Sequence, residues 1–443
     1  MSIPTQRDLQ PSLWQSALRR FMAHGMAPVC SFIAGPILAR SLGVEGRGLV
    51  AAVTAPLTLA FMIVLLAMGE LLTAEVASER SSKRDAFWGG TVISVSIGIV
   101  LATIIHVLAP VLVPDHAEAA HLLQVLAWCL VPAGVQVSLR ALRQGERRYK
   151  MLNREPLFGS VGRLVCLLLL WGFGWLNIVT AAVTTTFFMF GTGLLLGRPP
   201  PPDLARSWRN IWTAIRGQLR RCSVLLVGSL AFILTMRADQ LLLTPLAGPK
   251  QLGLYAVAVT LAEIPLLAAD TVRMMVLAEA ASRRDPYFVA RACRLLIAFL
   301  VLIAIVGAGL SPLLIHILYG ASFSGAALPA AVLLAGTTVL APGSLMSAGL
   351  IAFGHPKAST LPTLLGLLVT AVVAPVAVIW WGALGAALAS VVAYLGSSIL
   401  ALVLFRRHEG IGFADSLLIR SSDLVLVLRR VRSALSARRA KQA

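Results

Sequence analysis

Apolar runs of about 20 residues or more alternate with short polar interruptions along nearly the whole chain. They fall at 21–40, 48–71, 86–113, 122–140, 157–175, 177–197, 222–245, 252–277, 295–319, 325–353, 358–381 and 383–405. A helix rising ~1.5 Å per residue needs about 20 such residues to cross a hydrocarbon layer of ~30 Å. The pattern predicts an all-α polytopic membrane protein of twelve spans, with tight turns within 174–178 and at Trp381–Gly382.

The interruptions sort by charge. With the N-terminus inside, 32 of the 38 lysines and arginines lie in inside segments, whereas the outside loops hold only Arg40, Arg47 and Lys250. Arg163, Arg237 and Arg273 fall within the runs themselves. Basic loops stay on the cytoplasmic side, so both termini are expected there. Residues 1–20 are polar and basic, with no short apolar stretch and cleavage site, so the first run is expected to remain as an anchor. The organisation expected is a cytoplasmic tail (1–20), a six-span lobe (21–197), a basic linker (198–221), a second six-span lobe (222–405) and a basic cytoplasmic tail (406–443).

Composition narrows the class. Hydrophobic residues make up 58% of the chain and charged residues 13%, against ~25% charged in average soluble proteins. Neither a water-soluble globule nor a disordered chain has such a composition. A net charge of +19 would suit a nucleic-acid binder, but here it is scattered between apolar runs instead of lining one face. Nucleic acid is therefore not an expected partner. The cysteines Cys30, Cys129, Cys166, Cys222 and Cys293 lie far apart, with no CxxC pair, so neither a disulfide framework nor a zinc site is expected.

Two inside segments have the spacing of interfacial helices. After the RPPPP break at 198–202, Trp208, Ile211, Trp212, Ile215 and Leu219 recur at helical intervals, with Arg206, Arg209, Arg216 and Arg220 elsewhere on the wheel. The tail repeats this with Leu424, Leu426, Leu428, Val431 and Leu435. Such faces suit the anionic lipids of the inner leaflet, although solvated basic linkers are the plainer alternative.

An internal repeat emerges on shifting the chain by 205. Residues 37–52 then lie on 242–257, with Leu38 on Leu243, Gly43 on Gly248, Gly48 on Gly253, Leu49 on Leu254 and Ala51 on Ala256. A shift of 209 lays Gly145 on Gly354, Arg148 on Lys357 and Trp171 on Trp380. Six spans per half keep the copies in one orientation, which predicts two lobes related by a parallel pseudo-two-fold axis around a central cavity.

Three stretches resemble a known family: ARSLGVEGRGLVAAV (39–53), LRALRQGERRYKMLN (139–153) and RADQLLLTPLAGPKQLGLYAVAVTLAEIP (237–265). They are similar to polysaccharide-biosynthesis flippases of the multidrug/oligosaccharidyl-lipid/polysaccharide exporter superfamily, over most of residues 15–405. The resemblance implies an alternating-access transporter in the inner membrane of a bacterium. Its cargo would be an undecaprenyl-diphosphate-linked oligosaccharide, an exopolysaccharide or O-antigen precursor, moved from the cytoplasmic to the periplasmic leaflet. A proton or sodium gradient is the implied driver. A cation-coupled multidrug antiporter of the same superfamily is an alternative reading. So is a non-transporting scaffold for other polysaccharide-assembly proteins.

Ionisable groups inside spans are costly and so become functional candidates. Arg237 sits about fifteen residues into its run, too deep to snorkel inward, and Asp239 projects ~200° away on an ideal helix. The two read either as a headgroup cation with a titrating neighbour or as a structural ion pair between the lobes. Glu263 and Asp270 share one face of the eighth run, and Arg273 follows Asp270 at helical pairing distance. Arg163 lies a turn or two inside its run, where it reads as a snorkelling residue or as a cavity cation, with Arg148 and Arg154 at the mouth. His24 has the same two readings. The candidate substrate cations are therefore Arg237, Arg163, Arg273, His24 and Arg148, and the candidate ion-coupling carboxylates are Asp239, Glu263 and Asp270. The outside loop 114–121 carries Asp115, His116, Glu118 and His121, at a spacing that matches no defined metal site; Asp115 is expected to cap the following helix. No GxxxxGK[ST], GxSxG or HExxH motif occurs, and no loop houses a catalytic domain, so neither an enzyme nor a cofactor is expected.

Overall fold

The computed structural model describes residues 13–77, 82–146, 148–200 and 230–418. Every regular element among the described residues is helical: α1 Leu13–Ala77, α2 Lys83–Leu112, α3 Ala117–Ala127, α4 Leu130–Gly145, α5 Tyr149–Gly172, α6 Ile178–Phe190, α7 Leu230–Ala247, α8 Pro249–Arg283, α9 Pro286–Tyr319, α10 Ala327–Ala352, α11 Pro356–Glu409 and α12 Phe413–Leu417. Short 3₁₀ turns at Gly191–Leu196 and Ala321–Ala326 complete the set.

Eight of these helices are long and apolar enough to cross a membrane, or nine if the bent pair α3–α4 counts as one. At 65 and 54 residues, α1 and α11 are roughly 97 and 81 Å long, far more than one crossing needs. Each breaks at a glycine. Gly43 has φ 70°, ψ −175°, and Gly382 has φ 53°, ψ −125°, conformations that side chains with a Cβ avoid. The fourth apolar run, expected as one helix, is bent by 41° between α3 and α4. Pro132 is the cause, since its ring offers no N–H to the Trp128 carbonyl and crowds it. The turn expected within 174–178 lies between α5 and α6, where Asn177 accepts from the Thr180 amide at 2.8 Å and Thr180 Oγ1 accepts from the Asn177 amide at 2.9 Å. The expected cap at Asp115 is not found. His116 is the residue before α3, and Asp115 sits at φ 62°.

The repeat at offset 205 has a counterpart in the backbone. Gly248, equivalent to Gly43, has φ 83°, ψ 166°, so both turns are made by glycine in nearly one conformation. At offset 209, Trp171 and Trp380 are both exposed near their turns, but Gly145 is helical whereas Gly354 has φ 92°. That second match is one of element order, not of backbone.

Helices α1–α6 pack largely on one another, as do α8–α12, and the substantial contacts between these sets run from α1 to α8, α9 and the second 3₁₀ turn. One apolar core spans both sets at the end bearing the turns near 43, 115, 176, 248, 320 and 382; it includes Leu49, Leu57, Leu123, Tyr255, Tyr319 and Phe323. Toward the other end the cores are separate, one around Leu72, Phe87 and Leu142, the other around Val276, Leu345 and Phe405. The two sets are therefore closed together at the turn end and carry independent cores at the other. Trp171, Trp175, Trp380 and Trp381 stand exposed near the turns, as tryptophans do at a membrane–water boundary.

Candidate functional site: a cationic cavity between the two helix sets

Beneath the shared core lies a cavity of ≈ 250 Å³, about eight water volumes at ~30 Å³ each. Helical periodicity builds its walls. From α1 come Ser31, Ala34, Gly35 and Leu38 before the glycine break, then Arg47, Val50, Ala51, Thr54, Ala55 and Thr58 after it. The spacing of three, four and seven keeps each series on one helix face. Ala256, Val259, Thr260 and Glu263 of α8 are the 205-shifted equivalents of Ala51, Thr54, Ala55 and Thr58. Arg163 and Leu167 of α5, Thr185 of α6, and Arg237 and Gln240 of α7 complete the lining.

Among the described residues three arginines therefore face this cavity, against a single carboxylate. Arg237 approaches Glu263 at 3.6 Å. Arg163 donates to Ser31 Oγ at 2.6 Å, and its Nε has no hydrogen-bond partner among the described residues. The Nε of Arg47 is also buried without a partner, with Glu263 and Tyr319 nearby. The Tyr319 hydroxyl is likewise unpartnered and abuts the wall at Gly35. Buried donors without acceptors are costly, so a site of this kind favours an anion that accepts from them. The threonine hydroxyls bond back to their own helix carbonyls at 2.8 Å, with lone pairs left over.

The sequence candidates divide accordingly. Arg163, Arg237 and Glu263 come together here. Arg163 is not at its helix mouth, because α5 begins at Tyr149 and places it four turns in. Asp239 is buried away from the lining, accepting from Tyr255, from Ser390 Oγ at 3.0 Å and from the Gln240 amide at 2.7 Å. Asp270 and Arg273 pair at 2.8 Å on a partly exposed face. Arg148 pairs with Glu146 at 3.2 Å and is 57% exposed. His24 lies in α1, with its side chain outside the described residues. The basic segments at 203–221 and beyond 418 also lie outside them. No group of three or more His, Cys, Asp or Glu among the described residues could hold a metal ion, and His116 in the 114–121 loop reaches Glu45 at 3.2 Å.

Sequence reasoning missed Arg47, which counts as a loop residue when the second run starts at 48. The signal was present in the stripe Arg47–Thr54–Thr58, at intervals of seven and four. A second miss is Glu155, 2% exposed, which accepts from Gln136 Nε2 at 2.8 Å and lies 3.5 Å from Arg140.

Among the described residues, an all-helical fold of two packed sets around a cationic cavity, with eight or nine helices long and apolar enough to cross a membrane, defines the class as a polytopic membrane protein. The same fold occurs in a solved structure of the lipid II flippase MurJ in an inward closed conformation, with TM-score 0.71 and 14% identity, covering 94% of this chain and 92% of that one. It occurs too in an inward-facing multidrug resistance MATE family transporter of the MOP superfamily, with TM-score 0.66 and 16% identity over 88% of this chain and 98% of that one. A eukaryotic MATE transporter follows at TM-score 0.56 and 14% identity, covering 87% and 95%. No curated protein sequence matches the chain. The family described as "Polysaccharide biosynthesis protein" matches residues 37–328, and the chain belongs to that family.

Proposed function

We propose that this protein is an alternating-access flippase that carries an undecaprenyl-diphosphate-linked oligosaccharide from the cytoplasmic to the periplasmic leaflet of a bacterial inner membrane. The observation that carries the reading is the convergence of Arg47, Arg163 and Arg237 on one cavity, with two guanidinium Nε atoms that have no partner among the described residues. Guanidinium forks match the geometry and charge of phosphate oxygens, and the cavity volume is of the order of a diphosphate with its water. An antiporter for organic cations would be served by a carboxylate-rich, aromatic pocket. Among the described residues the lining has one carboxylate and no aromatic side chain, which favours the anionic cargo.

In this reading the chain crosses the membrane twelve times in two six-span lobes, α1 and α11 each crossing twice about their glycine breaks. Both termini are cytoplasmic, and the turn end faces outward. No catalytic step is required of it. The basic segments at 203–221 and 413–440 hold the inner leaflet's anionic lipids, and other polysaccharide-assembly proteins work beside it. Proton or sodium coupling falls to Glu263, Asp239 or Asp270. Glu263 is favoured because it alone of the three lines the cavity, where diphosphate would compete with it for Arg237.

Deletion of the gene tests the reading, with the leaflet distribution of the lipid-linked oligosaccharide, surface polysaccharide and drug sensitivity measured together. Accumulation on the cytoplasmic side with loss of polysaccharide is expected. Normal polysaccharide with altered sensitivity to cationic compounds would replace the flippase by the antiporter. Polysaccharide loss restored by a variant lacking every cavity charge would leave only a scaffold.

A further inference from the structure

We propose that the closed end of the cavity is sealed by a reciprocal crossing of Gly48 in α1 against Gly253 in α8, latched at its rim by Arg40. The inference rests on the alternating-access reading and adds the element that must part for outward opening.

The crossing is a contact of backbone on backbone. A Cβ on Gly48 would land on the Pro249 carbonyl, and a Cβ on Gly253 would land on the Val44 carbonyl. Both glycines lie inside helices and have no positive φ, so proximity, not chain conformation, requires them. Gly48 and Gly253 are separated by 205 residues, as are Val44 and Pro249. Each glycine thus meets the equivalent of its own neighbour, the signature of a contact lying on a two-fold relation. Small residues let helix backbones approach to van der Waals distance. A seal of this kind excludes water without interlocking side chains, so the halves can part without unthreading any.

Arg40 lies three residues before the Gly43 break and is exposed at the rim. Its Nε donates to the Leu318 carbonyl at 2.9 Å, and a terminal nitrogen donates to the Ile317 carbonyl. These carbonyls belong to the last turn of α9, where the helix supplies no amide partners and the helix dipole favours a cation. Arg40 belongs to one helix set and α9 to the other, so both bonds must break when the sets separate at this end. The Glu45–His116 contact joins α1 to the start of α3, within one set, and needs no rupture.

The test places one cysteine deep in the cavity, Thr58→Cys, in the full-length chain with its five natural cysteines replaced by serine. A membrane-impermeant maleimide is then added to either face of the membrane, in intact cells and in inverted vesicles. The parent is expected to label mainly from the cytoplasmic face. Gly48→Ala and Gly253→Ala are each expected to raise labelling from the outer face roughly tenfold, because a methyl group cannot fit against the opposing carbonyl. Arg40→Ala is expected to raise it two- to tenfold, and Arg40→Lys, which keeps one cationic donor, by less. Unchanged labelling from both faces in a glycine variant present in the membrane at parental level would overturn the seal. If the glycine variants do not reach the membrane, Arg40→Ala decides, since its side chain is at the exposed rim; unchanged labelling there overturns the proposal. Labelling reads access and not flux. A seal that opens as expected in a cell whose lipid-linked oligosaccharide never depended on this protein would uphold the gate and discard the cargo.

Discussion

Replacing Arg163 by alanine separates a substrate cation from a structural one. Among the described residues the side chain makes one hydrogen bond, to Ser31 Oγ at 2.6 Å, and its Nε has no partner, with two other arginines and one carboxylate lining the same cavity. Its removal therefore forfeits one bond from a charged donor to a neutral hydroxyl, ~1.5 kcal/mol at the lower end for charged groups, and relieves some repulsion from Arg47. Membrane level and melting temperature should stay close to the parent's. Toward a bound diphosphate the loss is larger. A charge-assisted bond contributes ~1.5–3 kcal/mol net, and two unit charges ~4 Å apart at an effective dielectric of ~20 interact by roughly 4 kcal/mol. The second figure is a ceiling, because Arg47 and Arg237 remain and water enters the vacated space. At ~1.4 kcal/mol per tenfold, flux should fall about 10- to 100-fold. Proteoliposomes carrying a fluorescent polyprenyl-diphosphate saccharide, quenched from outside, measure this directly. Arg163→Lys keeps the charge but loses the fork, and should fall between the two. Flux within twofold of the parent at equal protein level would refute the reasoning, as would an equally large fall in melting temperature.

Other perturbations separate the remaining groups. Asp239→Ala removes the carboxylate that accepts from the buried Tyr255 hydroxyl, whereas Ser390 Oγ keeps the Ala386 carbonyl at 3.1 Å, and should destabilise the protein by ~1–3 kcal/mol, seen as a lower melting temperature in detergent. Asp270→Asn and Arg273→Ala break a partly exposed pair three residues apart, worth ~0.2–0.5 kcal/mol; surface polysaccharide should stay within twofold of the parent. Glu155→Ala takes the carboxylate from Arg140, which is 27% exposed, while Gln136 Nε2 keeps the Met189 carbonyl at 3.4 Å and Thr192 Oγ1 at 3.3 Å; it should cost ~1–3 kcal/mol, seen as a lower melting temperature in detergent. A reporter fused after Ala443 should be active only if it works in the cytoplasm, and a periplasmic reporter active there would reverse the assigned orientation.

Much of the architecture was legible in the chain, and the misses have physical causes. The runs at 21–40 and 48–71 locate both arms of α1, but the break at Gly43 lets the second arm begin at once, which carries Arg47 from a loop into a cavity wall. Polar residues 149–156 make α5 read as starting later than it does; they form its first two turns, where Glu155 meets Gln136 and Arg140 of α4, and so put Arg163 four turns in. Glu263 and Asp270 share a helix face by spacing. Packing separates them, because only the half of α8 nearer the turns faces α1 across the cavity. The offset-205 match, five residues at one shift, predicts two related halves but not what its glycines do. Its meaning appeared in space, where Gly43 and Gly248 turn the chain alike and Gly48 and Gly253 touch the opposing backbones.

The sequence by itself determined the membrane setting, the helical class, the positions of the turns and the existence of a repeat. Each of these follows from local rules: apolar length, loop charge and residues such as glycine and proline that dictate the backbone. Only the tertiary structure decided which charges meet. Arg47, Arg163, Arg237 and Glu263 are spread over more than 200 residues on four helical segments, and their convergence depends on how α1, α5, α7 and α8 rotate and tilt as they pack. The same packing chose which of the two ends is closed. Helix spacing assigns a residue to a face, but the neighbour that face meets is set by long-range contacts that no local pattern records.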